Sequence, residues 1–248
     1  MIDISSLFDD YNRQARVYPA LLSLLPLLIT TFAWFPDLLI SNWSSTLVTL
    51  ACSCGLLYLL ATFARTYGKR VEVRLLKAWG GWPTTLWLRH SDANLPSVTK
   101  QRYHKTLVKN VPKLTLPSPA QERADPIAAD MAYCSATDWL KERTRDKKFT
   151  LVHKENAEYG FRRNMLGVRP FAIFANFFAL TVTIAATWYR VSGQSAHSMF
   201  EHVPPAVLGA TLLLLVSLFF WVSVVRDSWV RQAGDQYARA LLATCENL

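Results

Sequence analysis

The chain has 248 residues, of which 51% are hydrophobic and only 18% charged, with 27 Lys and Arg against 18 Asp and Glu and a formal charge of +9. A mean hydropathy of +0.14 with so few charges disfavours a water-soluble cytosolic enzyme. The apolar residues are also gathered into blocks instead of being dispersed along amphipathic elements.

Residues 17–35 (VYPALLSLLPLLITTFAWF) carry no charge, and at helical rise such a stretch reaches roughly 28 Å, the thickness of a bilayer's hydrocarbon. Residues 44–64, 170–189 and 206–225 repeat the pattern, so four membrane spans are expected. Pro26 removes one backbone donor from the first span, which predicts a kink there. The leader MIDISSLFDDYNRQAR mixes acids and bases, unlike the basic start of a cleavable signal peptide, so the first span is expected to be retained.

Basic residues orient the spans, because Lys and Arg near span ends stay on the cytoplasmic side. The link PDLLISNW has none, the link between spans three and four has only Arg190, and residues 65–169 hold 21 bases against 10 acids. The expectation is a multi-pass protein of the bacterial inner membrane with both termini and the central segment inside. Trp34, Trp43, Trp188 and Tyr189 fall at the outer ends, where interfacial aromatics belong. Cys52 and Cys54 lie within span two, and Cys134 and Cys245 on the reduced side, so no disulfide is expected. The Cys52-x-Cys54 pair is read as close helix packing, with a soft metal as the alternative.

Between the hairpins, residues 62–78 continue span two as a stalk helix that Gly80-Gly81 ends. WPTTLWLRHSDANLP predicts a short extended piece and a loop. Residues 97–109 read as a basic helix stopping before Pro112. Ser118, Pro119 and Gln121 form a capping-box signature, and Asp125-Pro126 begins a helix of about twenty residues with Ile127, Met131, Cys134 and Leu140 near one face. Gly167 and Pro170 mark a junction where a bend would be easy. In span three, Ala172, Ala175, Asn176, Ala179, Thr183, Ala186 and Thr187 recur at helical spacing opposite Phe171, Phe174, Phe177 and Phe178. That face suits close packing, or a water-filled path in an oligomer lined by Asn176, Thr183 and Thr187. Span four is apolar nearly all round and should face lipid. After it, Trp229, Ala233, Tyr237 and Leu241 give an amphipathic helix for packing on the cytoplasmic domain or lying at the membrane surface. The resulting fold class is an all-α membrane protein: residues 1–64 with the first hairpin, a mainly helical basic domain over 65–168, a second hairpin over 169–225 and a tail over 226–248.

No hydrolase elbow, zincin, phosphate-loop, dinucleotide or zinc-cysteine motif is present, and the five histidines are scattered. No catalytic residue, metal or cofactor is therefore expected. Asp130, Asp138 and Glu142 share one helix and read as a salt-bridging face, with a carboxylate pair as the alternative. Charge is the more informative signal. Lys69, Arg70, Arg74 and Lys77 abut the membrane and suit anionic headgroups. Arg89 and His90, followed by Lys100, Arg102, His104, Lys105 and Lys109, are interleaved with Trp79, Trp82, Trp87 and Tyr103, and Arg143, Arg145, Lys147 and Lys148 form a further group. Cations that hold phosphates beside rings that stack on bases are what a nucleotide or oligonucleotide site requires. The alternative is that these charges only satisfy the positive-inside rule.

The runs GGWPTTLWLRHSD, VTKQRYHKTL and ENAEYGFRRNMLGVRP resemble a family of uncharacterised bacterial inner-membrane proteins. By architecture and charge, the layout of hairpin, cytoplasmic domain and hairpin also resembles the SMODS-associated four-transmembrane effectors of antiphage defence and the DNA-gated channel of the Hailong system. That resemblance implies a homo-oligomeric membrane effector, a tetramer being one form, controlled by a nucleotide or short single-stranded DNA from a companion nucleotidyltransferase. A non-conducting scaffold that docks a soluble partner through the 126–143 and C-terminal helices is the competing expectation.

Overall fold

The computed structural model describes residues 9–35, 46–192 and 203–247, with the backbone alone given for 46–54. Trp43 and the side chains of Cys52 and Cys54 lie outside the described residues. All regular structure among those described is helical. The helices are α1 (Asp10–Trp34), α2 (Thr46–Trp79), α3 (Pro83–Leu86), α4 (Ser97–Asn110), α5 (Pro119–Ala124), α6 (Pro126–Arg143), α7 (Thr150–Val191), α8 (Pro205–Ser223) and α9 (Asp227–Ala243). The chain divides into two compact units, one of residues 1–70 and 161–226, the other of residues 71–160 and 227–248.

In the first unit, α1, α7 and α8 are long and apolar enough to cross a membrane, and within their most apolar windows only 28%, 33% and 22% of residues are buried. In water such surface would be costly; against lipid it is not. The fourth apolar stretch, 44–64, falls partly outside the described residues. Helix α1 runs through Pro26 without a break, and Arg13–Val17 winds as a π-helix. Helix α7 likewise runs through Gly167 and Pro170, so the expected bend is not a break in the helix. Gly167 has a different use. A Cβ there would lie 2.4 Å from the backbone nitrogen of Gly68, and one on Gly68 would lie 1.9 Å from Asn164 Oδ1. Helices α2 and α7 therefore cross backbone to backbone, which glycine alone allows. Phe63, Tyr67 and Phe171 pack beside the crossing with ring centroids 4.3–5.1 Å apart. Buried Asn164 donates from Nδ2 to the carbonyl of Ala15 at 2.6 Å, tying α7 to the π-wound stretch. Arg169 donates to the carbonyls of Trp221 and Val222 at 3.0 and 3.2 Å, satisfying the open end of α8.

Along α7 the expected division into faces is present. Ala172, Asn176, Ala179 and Thr183 are buried within the unit, and Phe171, Phe174, Phe177 and Phe178 are exposed. Helix α8 exposes Leu208, Leu212, Leu213, Val216 and Phe219 and buries Val207, Ala210, Leu214 and Trp221.

The second unit has its own core, formed by Trp87, Leu88, Tyr103, Leu107, Tyr133, Ala136, Leu140 and Val152 with Leu241, Leu242 and Cys245. Helix α2 stops at Trp79 because Gly80 and Gly81 take φ of 78° and 142°, a left-handed turn open to glycine. The expected extended piece is instead the single turn α3, with Pro83 in the first helical position, where a missing N–H costs nothing. Ser118 and Gln121 cap α5 reciprocally, and Asp125 caps α6 through the Ala128 N–H. Helix α6 buries Ala129, Tyr133, Ala136 and Leu140, whereas Ile127 and Met131, read as sharing a face with Leu140, are 77% and 70% exposed. Of the two fates open to the amphipathic C-terminal helix, α9 takes packing on this unit. Gly234 lies against Pro83 and Tyr159, and the ion pairs Arg74–Asp227 (2.8 Å) and Arg102–Glu246 (2.9 Å) hold its two ends.

Candidate anion-binding site

The centre of the second unit's polar architecture is Glu122, on the short helix α5. It accepts hydrogen bonds from the backbone N–H of His90 (2.7 Å), the backbone N–H and hydroxyl of Ser91 (3.1 and 2.9 Å) and the phenol of Tyr133 (2.7 Å). Burial pushes this carboxyl upward, but the donors of Tyr133, His90 and Ser91 outweigh it and hold it down to about 2. Burial, with the same bond, raises Tyr133 above the ordinary phenol range. Lys100, 5% exposed, donates from Nζ to the carbonyls of Arg89 and Asp92. Arg89 forms a two-pronged pair with Asp130 of α6, which keeps its guanidinium charged. The segment 89–92 is thus fixed from both sides by charged groups, a requirement for any site built on a loop.

These bonds redistribute the residues that the sequence singles out. Trp87 is 2% and Tyr103 7% exposed, both in the core, so neither offers a face for a base to stack on. Trp82 is half-buried against Tyr159, with Lys141 over its ring at 5.7 Å. Arg89, Lys100 and Arg102 spend their charge on Asp130, on two carbonyls and on Glu246. Arg145 pairs with Glu142 at 2.7 Å; Lys147 and Lys148 are exposed in the turn after α6, Lys148 over the Phe149 ring. The carboxylates of Asp130, Asp138 and Glu142 each pair with a base of the same unit, as a salt-bridging face does.

His90 and Lys105 remain, and His104 joins them from one turn of α4. The rings of His90 and His104 meet edge to face at 5.1 Å. Each Nε2 lies against a carbonyl, that of Pro117 for His90 (3.0 Å) and of Leu88 for His104 (2.8 Å). A carbonyl only accepts, so Nε2 carries the hydrogen and Nδ1 is left as the second ring position. Burial lowers His104, helped by His90 and Lys100 and opposed by the Leu88 carbonyl. The pair lines two depressions. One, of about 390 Å³, includes Asp92, Ser97, Lys100 and Gln101; the other, of about 530 Å³, includes Lys105, Lys109, Val108 and Leu116. Lys105 and Lys109 stand four residues apart on α4 and have no ion-pair partner among the described residues. Two free ammonium groups, an imidazole pair and an apolar wall fit a phosphate carried on a flat or apolar group. Sequence reading already groups His104 and Lys109 with Lys105 in one basic cluster, and the structure puts all three on adjoining turns of α4.

No group of three or more His, Cys, Asp or Glu suited to a metal ion occurs among the described residues. Comparison with known proteins finds no matching family model, curated protein or solved structure.

Proposed function

We propose that the chain is a four-span inner-membrane effector, both termini cytoplasmic, that assembles as a homo-oligomeric channel and is controlled by an anionic nucleotide or short oligonucleotide. The ligand occupies the cleft lined by His90, His104, Lys105 and Lys109, and antiphage defence is the setting that the architectural resemblance supports. The observation that carries the ligand half is charge left over. Arg89 and Arg102 of this region are already paired with carboxylates and Lys100 is tied to two carbonyls, while Lys105 and Lys109 stand beside a 530 Å³ depression without a carboxylate. The membrane half is supported by α1, α7 and α8 and by the excess of basic residues in the central segment. Helices α2 and α7 each run unbroken from one unit into the other, so a ligand that prefers one arrangement of the second unit biases helices that continue into the first.

The test is binding of labelled mononucleotides and short single-stranded DNA to the detergent-solubilised protein at several salt concentrations. Lys105→Glu with Lys109→Glu should abolish binding, and binding of the parent should weaken steeply with salt. Absence of salt-sensitive binding to every such ligand would remove the ligand half.

A second reading, a scaffold that docks a soluble protein, is favoured by one observation: Ile127 and Met131, four residues apart on α6, are 77% and 70% exposed. Ion flux through liposomes separates the two, since a scaffold gives none with or without ligand.

A further inference from the structure

Helix α7 buries two polar side chains that the first unit leaves incompletely satisfied. Asn176 is fully buried; its Nδ2 donates to the carbonyl of Ala172 at 2.8 Å, but its Oδ1 has no partner among the described residues. Thr183, 2% exposed, likewise has an unpartnered Oγ1. The default for a threonine in an apolar helix is to donate to the carbonyl four residues back. Thr30, Thr181, Thr187 and Thr211 all do so, at 2.7–3.0 Å, and Thr183 does not.

Seven residues separate the two, close to two full turns, so they share one face about 10 Å apart along the axis. On that face Ala172 and Ala179, both at most 1% exposed, and half-buried Leu180 are their neighbours, while the phenylalanines occupy the outer face. Buried polar atoms in an apolar layer are satisfied by protein or by internal water, and water settles where polar partners adjoin small side chains.

We infer that this face of α7 holds a short file of internal water, about three molecules at hydrogen-bond spacing, running from Asn176 Oδ1 to Thr183 Oγ1 inside the helix bundle of a single chain. It rests on the membrane reading of α7 and deepens the channel reading: the polar route lies within each protomer, since residues buried in one chain do not line an axis between chains. The carboxamide oxygen accepts from water, and the hydroxyl both donates and accepts, so the file has a terminus of each kind needed to hold it.

Substituted-cysteine accessibility in liposomes tests this with the full chain, its four native cysteines replaced by serine. Ala179→Cys sits between the two polar groups, Phe178→Cys on the lipid face, and Lys105→Cys in the second unit as the aqueous reference. Silver ions are the probe, read by protection of the thiol from later alkylation after denaturation; the reaction needs water at the thiol. The inference expects Ala179→Cys to react at least about tenfold faster than Phe178→Cys, because the thiolate is the reacting form. Asn176→Leu or Thr183→Val, each in the Ala179→Cys chain, should return the rate to the Phe178→Cys level. Two separate substitutions guard against a single misfolded variant. An Ala179→Cys thiol as inert as Phe178→Cys, in protein that elutes normally, would overturn the water file and leave dry packing. Phe178→Cys reacting as fast as Lys105→Cys would instead show that α7 is not in lipid, and the proposed function would fail with it.

Discussion

Glu122→Gln is the perturbation that probes the second unit most sharply. In the native unit the carboxyl is held at about 2 against an ordinary 4.5. That interval of about 2.5, at about 1.4 kcal/mol for each tenfold change, bounds the stabilisation at about 3.4 kcal/mol. The short helix α5 stands near solvent, so screening reduces the bound, and we expect a loss of about 2 kcal/mol. Glutamine keeps one acceptor oxygen but turns an NH2 toward the donors of His90, Ser91 and Tyr133, which makes the loss a real one at neutral pH. For a chain of this size about 2 kcal/mol lowers Tm by about 4–8 °C, measurable by intrinsic fluorescence in detergent. The pH dependence is the stricter criterion. A carboxyl depressed in the folded state stabilises fully above its unfolded value and progressively less as pH falls toward the folded one. The parent should therefore lose this increment between about pH 4.5 and 2, and the Gln variant should lack that component. Equal melting at pH 7, or the same slope for both proteins below pH 4.5, would refute the role given to Glu122.

The remaining expectations are more direct. Gly167→Ala places a methyl 2.4 Å from the Gly68 nitrogen; backbone cannot yield as a side-chain tip does, so the variant should lose about 3 kcal/mol and elute as aggregate in size-exclusion chromatography. Arg89→Ala strips the pair from Asp130, which is part-buried, and should lower stability by about 1–2 kcal/mol in thermal unfolding. Cys245 is 4% exposed and burial pushes its thiol up to about 12, so Cys134 should react with maleimide first and Cys245 only on unfolding, as peptide mass spectrometry will show. Ile127→Glu with Met131→Lys should leave the melting curve unchanged, since neither side chain is buried; a fall in Tm would mean that the second unit covers them in a way the structure does not show.

The local grammar of the second unit was legible in the sequence where single residues dictate backbone. Gly80-Gly81 stops α2, the Ser118–Gln121 box starts α5 and Asp125-Pro126 starts α6, because capping and positive φ are decided within a few residues. The two-faced pattern of α7 was legible for the same reason: phenylalanines and small residues alternate at helical period. The inner face of α6 was not. Ile127 and Met131 are exposed while Ala129, Tyr133, Ala136 and Leu140 are buried, because which face turns inward is set by the core residues packed opposite and not by apolarity along α6 alone. Charge partners were least legible. Arg89 finds Asp130 and Arg102 finds Glu246, 41 and 144 residues away, so a run of bases that reads as a phosphate cradle is largely consumed inside the fold. Gly167 reads alone as a flexible joint and becomes a crossing point only when Gly68, nearly one hundred residues earlier, is brought against it.

Alkaline phosphatase fused after Lys147 and, separately, after Ser195 measures which side of the membrane each link occupies. The enzyme folds only outside the cytoplasm. The account predicts an inactive fusion at Lys147 and an active one at Ser195; activity at Lys147 would place the basic central segment on the far side and contradict it.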